Sequence, residues 1–179
     1  MGSYHCFILP GLNNSGPQHW QTLWENEFEM TRIQQRDWDT PVCSDWISTI
    51  DAIVKQYPPE EVVLIGHSLA CCTIAHWTRT YNRKIKAALL VGPSDVEAAS
   101  YPPGTSGFTP MPLNKLPFNS IVVASTNDEY VSFERAAYFA ECWGSGLVNA
   151  GALGHINSAS NIGNWTAGYQ ILQTLINMP

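Results

Sequence analysis

Only nine of the 179 residues are lysine or arginine, and they lie scattered along the chain. With a formal net charge of -6, this scarcity excludes the clustered cations that phosphate binding relies on, so no nucleic-acid partner is expected. No apolar run approaches the length of a bilayer span, so no membrane partner is expected either. The Cys-x-x-Cys pairs of a zinc site or redox motif are missing. The cysteines, Cys6, Cys43, Cys71, Cys72 and Cys142, are odd in number and read as free thiols in a reducing compartment. At the amino terminus the apolar run 6–9 is too short for a signal-peptide core and lacks a basic flank. Gly2 does not fit a myristoylation signal, because Cys6 stands where Ser or Thr is wanted. A cytoplasmic protein is the expectation. No motif calls for a metal or an organic cofactor.

What is present is apolar and aromatic. Hydrophobic residues make up 45% of the chain, charged residues 13%, and tryptophan alone contributes seven, a composition suited to a packed core. The length fits one domain, residues 1–179, with no room for a second catalytic domain. Short apolar runs alternate with amphipathic stretches, the pattern of an α/β sheet. Strands are expected at residues 5–9, 31–35, 61–65, 85–91, 120–125 and 147–150, the second being polar enough to belong at a sheet edge. Helical spacing appears in Trp20, Leu23, Trp24 and Phe28, preceded by Ser15 and Gln18 in capping-box spacing. It recurs in Trp46, Ile50, Ile53 and Tyr57, over residues 71–80, and in Ile162, Trp165, Tyr169, Leu172 and Ile176. The tryptophans are read as core anchors.

The apolar strand 61–65 runs straight into Gly66-His67-Ser68-Leu69-Ala70 and then into a helix. A Gly-x-Ser-x-Gly/Ala string means little alone, but between a buried strand and a helix it describes a nucleophile elbow, a strained turn that exposes the serine hydroxyl. Ala70 departs from the usual second glycine. A serine needs a base held by a carboxylate, and in this architecture the chain order is serine, acid, histidine. Two histidines follow Ser68. His76 lies about two turns down the elbow helix and points away. His155 lies in the loop after the last strand, at the carboxyl edge of the sheet, and is the expected base.

Asp128, at the carboxyl end of the fifth strand, is the preferred acid; Asp95 after the fourth strand competes with it and Glu129 is a third choice. For the oxyanion, one donor is the N–H of Leu69, and a second is expected from Leu12 or Asn13 in the loop 10–17, where Gly11 permits the turn. That loop lacks the Gly-Lys-Ser/Thr ending of a phosphate loop.

Leu9-Pro10-Gly11, Ser15-Gly16-Pro17-Gln18-His19-Trp20, Gly66-His67-Ser68, Ser125-Thr126-Asn127-Asp128 and Gly154-His155-Ile156-Asn157 together span nearly the whole chain. In these strings the sequence resembles the small serine hydrolases that include retinoblastoma-binding protein nine and the YdeN-like proteins. The resemblance implies a compact α/β-hydrolase without a large lid domain, here read as a mostly parallel six-stranded sheet of order 2-1-3-4-5-6 with helices on both faces. It also carries the triad roles onto Ser68, Asp128 and His155. A retinoblastoma-type partner is not expected, because the nearest string to a Leu-x-Cys-x-Glu pattern, Leu69-Ala70-Cys71-Cys72-Thr73, ends in Thr.

The expected activity is hydrolysis of small carboxylic esters, or small amides, through an acyl-enzyme. The rival is an interaction module that keeps the scaffold; a cysteine-based redox enzyme using Cys71 or Cys72 lacks a motif. The proline-rich segment 92–119 reads as a fixed wall that limits acyl length, with Tyr101, Phe108, Met111 and Leu113 either lining the substrate site or anchoring the loop to the core.

Overall fold

The computed structural model describes residues 4–178; the reading of Gly2 lies outside the described residues. In chain order the elements are β1 (His5–Leu9), α1 (Trp20–Glu27), β2 (Thr31–Arg32), α2 (Cys43–Val54), β3 (Val62–His67), α3 (Leu69–Tyr81), β4 (Ala87–Val91), β5 (Asn119–Ala124), α4 (Phe133–Trp143), β6 (Gly146–Asn149) and α5 (Thr166–Ile176). The six strands form one sheet in the order β2-β1-β3-β4-β5-β6. Every neighbouring pair is parallel. A parallel sheet must be covered on both faces, and the central strands are accordingly apolar on both. Val62, Leu64, Ala88, Leu90, Val122 and Ala124 face one core with α2, α3 and α4. Val63, Ile65, Leu89, Val91, Ile121 and Val123 face the other, with Trp20 and Trp24 of α1 and Leu172 and Leu175 of α5.

The tryptophans anchor these cores. Trp20, Trp24, Trp46, Trp77 and Trp143 are fully buried, and each indole N–H finds an acceptor. A buried indole without one would forfeit a hydrogen bond in the apolar interior. Trp20 bonds the carbonyl of Ile156 at 2.8 Å, so one core anchor also fixes the loop after β6.

Several boundaries depart from the sequence reading. β2 pairs only through Thr31 and Arg32 and sits at the sheet edge, because the chain leaves the ladder at Ile33, whose N–H still reaches Ile8. The capping box on Ser15 does not form: a turn from Gly16 to His19 precedes α1, and the His19 ring caps it by accepting from the Gln21 N–H. The Ser15 hydroxyl instead donates to the Gln21 side chain. The helix α4 has no counterpart in the sequence reading, although Ser132 caps it, Gly144 ends it in the left-handed region, and Ala136, Phe139, Ala140 and Trp143 make a helical stripe.

The segment between β4 and β5 carries no helix or strand, hence no helical lid. It is strapped to the body: Ser106 bonds Pro41 and Cys43, and the Leu116 N–H bonds the Trp143 carbonyl. Phe108 and Met111 are 2% and 4% exposed and belong to the first core, where Phe108 packs edge-on against Trp46. They pack into the body and are not among the residues walling the cavity beside Ser68, which favours anchoring the loop over lining the substrate site. Leu113 is exposed.

Candidate active site

All the chemistry-bearing loops emerge at the carboxyl edge of the sheet. β3 delivers the first of them. Ser68 follows it with φ 59° and ψ -124°, outside the comfortable regions for an L-residue, and its hydroxyl makes no capping bond to α3. It is therefore not an ordinary helix cap. The turn is possible because its neighbours are small. A Cβ on Gly66 would lie 2.8 Å from the Ile74 side chain, and one on Gly11 would lie 2.7 Å from Ser68 Cβ and 2.9 Å from the His67 carbonyl oxygen. The tight approach thus falls on Gly66 and Gly11, which explains why Ala70 can stand in the second glycine position.

The Ser68 hydroxyl lies 2.8 Å from His155 Nε2, and His155 Nδ1 lies 2.9 and 2.8 Å from the two carboxylate oxygens of Asp128. The Asp128 side chain is fully buried and that of His155 is 6% exposed. Asp128 also accepts from the Tyr130 N–H at 2.9 Å. Since the carboxylate can only accept, the His155 ring proton sits on Nδ1, and Nε2 is free to accept from Ser68.

Short-range polar contacts hold the histidine loop. Ser125 Oγ accepts from Leu153 N–H at 2.9 Å, Asn127 Oδ1 accepts from Gly154 N–H at 2.7 Å, and His67 Nε2 donates to the His155 carbonyl at 2.9 Å. The Ser125-Thr126-Asn127-Asp128 and Gly154-His155-Ile156-Asn157 strings are two halves of one interlocked surface.

The competing residues are engaged elsewhere. Asp95 pairs with Arg135 of α4 at 3.1 Å. His76 donates to the Phe108 carbonyl at 2.8 Å, within the first core. Glu129 is exposed, and both oxygens of Asp128, not Glu129, meet His155 Nδ1. Burial pushes the Cys71 and Cys72 thiols well up, so neither supplies a thiolate.

In the loop after β1, Asn13 has φ 63° and spends its N–H on the Trp38 carbonyl at 2.8 Å. This removes Asn13 from the two sequence alternatives for an oxyanion donor. The N–H groups of Leu12 and Leu69 find no partner among the described residues. Leu69 opens α3, where the first N–H groups have no intrahelical acceptor. Arg32 fixes the same loop by donating to the Asn14 side chain and the Ser15 carbonyl at 2.8 and 3.0 Å.

Beside Ser68 lies a cavity of about 240 Å³, walled by Leu12, Asn13, Tyr101, Pro102, Tyr130 and Asn157. Tyr101, one of the candidates from the proline-rich segment, is among its walls. Tyr130, Pro102 and Asn157 of this wall, and three residues nearer the triad, were not singled out from the sequence. Ser94 Oγ lies 2.8 Å from Ser68 Oγ, and the rings of His19, His67 and His155 follow one another in a column, the first pair edge-on and the second tilted. Burial, with Arg32 and His155 nearby, brings His19 down to about 4, and burial together with the neighbouring His155 and His19 holds His67 well below the usual histidine value. Both are neutral at neutral pH. His19 and His67 stood inside quoted motifs, and Ser94 directly before a weighed acid, but only the fold brings them together.

The parallel sheet, its strand order and the elbow at its carboxyl edge define an α/β-hydrolase. The family model described as Serine hydrolase matches residues 6–174. The chain belongs to that family and is a serine hydrolase. It is similar to a YdeN-like hydrolase from Pectobacterium atrosepticum, at 30% identity and a TM-score of 0.84 over 97% of this chain and 91% of that one. The ydeN gene product of B. subtilis shares the fold at 17% identity and a TM-score of 0.80, over 98% of this chain and 100% of that one. So does Est1E of Butyrivibrio proteoclasticus, solved with ferulic acid bound, at 13% identity and a TM-score of 0.68 over 97% and 89% of the two chains. No curated protein matches the chain. Among the described residues no helix is long and apolar enough to cross a membrane.

Proposed function

We propose that this chain, acting as one domain, hydrolyses short-chain carboxylic esters or small amides through an acyl-enzyme on Ser68, with His155 as general base and Asp128 as the carboxylate orienting it. The observation that carries this reading is the unbroken relay from Ser68 Oγ to His155 Nε2 at 2.8 Å and from Nδ1 to Asp128 at 2.8 Å. Ser68 attacks the substrate carbonyl as His155 takes its proton. The negative charge then forms on the carbonyl oxygen, toward the N–H groups of Leu12 and Leu69. Collapse expels the alcohol or amine, protonated by His155, and water attacks the acyl-enzyme by the same route. Asp128 stabilises the imidazolium at each stage.

The small cavity of about 240 Å³ supports short acyl groups, since pockets for drug-sized ligands start at roughly 300 Å³. Five free cysteines support a reducing, cytoplasmic setting. The test is turnover of a graded series of p-nitrophenyl esters by the wild type, His155→Ala and His76→Ala. The reading expects a short-chain optimum, loss of nearly all turnover in His155→Ala and little change in His76→Ala. Loss confined to His76→Ala would overturn the choice of base, and a folded wild type inert on every ester and amide would favour an interaction module.

A further inference from the structure

We propose that Ser94 is a further catalytic residue of this site, its hydroxyl donating to Ser68 Oγ and stabilising the charge that Oγ carries as it gains or loses the acyl group. The inference rests on the reading of Ser68 as nucleophile. Ser94 Oγ lies 2.8 Å from Ser68 Oγ and the residue is 1% exposed. Among the described residues its hydroxyl has no other hydrogen-bond partner.

The direction of this bond follows from the rest of the network. Asp128 accepts from His155 Nδ1, so His155 Nε2 carries no proton and must accept from Ser68. A serine hydroxyl has one proton to give. With that proton committed to His155, the contact between the two serines has Ser94 as donor and a Ser68 lone pair as acceptor.

The donor is also held in place. Gly92, at φ +54°, turns the chain out of β4 while its N–H bonds the Val123 carbonyl at 2.9 Å. On the other side, the Asp95 N–H bonds the Tyr130 carbonyl at 3.0 Å, and the Asp95 carboxylate pairs with Arg135 at 3.1 Å. Ser94 stands between these two anchors, so its hydroxyl needs no reorganisation when the reaction begins.

A hydrogen bond to an ionised oxygen is roughly twice as strong as one to a neutral oxygen. As the Ser68 Oγ–H bond breaks and the Oγ–C bond forms, the proton passes to His155 Nε2 and charge builds on Oγ before the new bond draws it off. During deacylation the Oγ–C bond breaks, its electron pair returns to Oγ, and His155 gives the proton back. The Ser94 proton stays on Ser94 throughout. Its bond is strongest at the two charged moments and weaker to the resting hydroxyl or the ester oxygen, which is the condition for lowering the barrier.

The test measures the bimolecular rate of fluorophosphonate labelling, and kcat and KM on a short ester, for the wild type and for Ser94→Ala, Ser94→Thr, Ser94→Val and Ser68→Ala. Ser94→Ala should lower the labelling rate and kcat together by about 10- to 100-fold, less than the loss of an oxyanion donor, with KM little changed. Ser94→Thr, which keeps the hydroxyl, should outrun Ser94→Val, which has a methyl in its place at nearly the same shape, and this pair keeps the proposal testable if the alanine variant does not fold. Labelling of Ser94→Ala at the wild-type rate or faster, or equal rates for the Thr and Val variants, would overturn the role of Ser94. Wild-type labelling of Ser68→Ala would instead overturn the nucleophile itself.

Discussion

Asp95 and Asp128 leave the sheet on neighbouring strands, at the same offset past Val91 and Ala124, the last residues of β4 and β5. Their surroundings nevertheless assign them opposite work. The Asp128 side chain is wholly buried and meets the Nδ1 of His155, whereas Asp95 pairs with Arg135 on α4. The two loops are stitched together through Tyr130, whose N–H goes to the Asp128 carboxylate and whose carbonyl accepts from the Asp95 N–H. Position along the strand puts a carboxylate at the active edge; the partner that meets it there decides what it does. For Asp95 that partner comes from a later helix.

The sharpest way to break the comparison is to neutralise each acid in turn. Asp128→Asn should lower ester turnover by about 10⁴-fold, because the imidazolium loses its partner and the wrong tautomer is favoured. Asp95→Asn should change turnover only severalfold and cost about 1 kcal/mol or less of stability, since its ion pair is partly exposed. Kinetics of the two variants, with denaturant midpoints, check this; a larger loss in Asp95→Asn would place the acid on the fourth strand.

The loop after β4 offers a second contrast, between its buried and cavity-facing residues. Phe108→Ala should cost about 3–5 kcal/mol and leave the acyl-length profile of the remaining folded enzyme unchanged. Tyr101→Ala should shift that profile toward longer chains at a smaller cost in stability. Urea melts and an ester panel separate the two, and a profile shifted by Phe108→Ala but not by Tyr101→Ala would reverse the assignment.

Much of this architecture was legible in short strings because the chemistry is concentrated there. β1 occupies the residues that its apolar run marked out, and the elbow, the Asp128 loop and the His155 loop each carry their residue types within a few positions. What could not be read depends on distant partners. Ser94 matters because of Ser68, Asn13 is disqualified by Trp38, and Phe108 faces Trp46. Proline and aromatic content in 92–119 fits a strap over the core as well as a wall beside the substrate, and only packing separates the two. α4 is itself written in a local signal, the stripe from Ala136 to Trp143, and it is this helix that carries Arg135 to Asp95.

The smallest expected effect concerns the histidine column. His19 and His67 are held neutral in the folded protein, His19 down to about 4, while in the unfolded chain they protonate near 6.5. The unfolded state therefore binds more protons in this window. The stability that these groups leave intact above about 6.5 is lost as pH falls toward about 4. Urea midpoints measured from pH 7 to pH 4 should decline, and His19→Asn should flatten part of that decline; an unchanged slope would mean that His19 protonates freely in the folded state.

The proposed function stands or falls with Ser68 forming the covalent intermediate, activated by His155. Intact-mass analysis of the fluorophosphonate-treated protein, followed by peptide mapping, tests it most directly. A single adduct on Ser68 is expected, absent from Ser68→Ala and slowed by about 10³-fold or more in His155→Ala. A folded wild type that forms no adduct, or one that carries it on another residue, would contradict it.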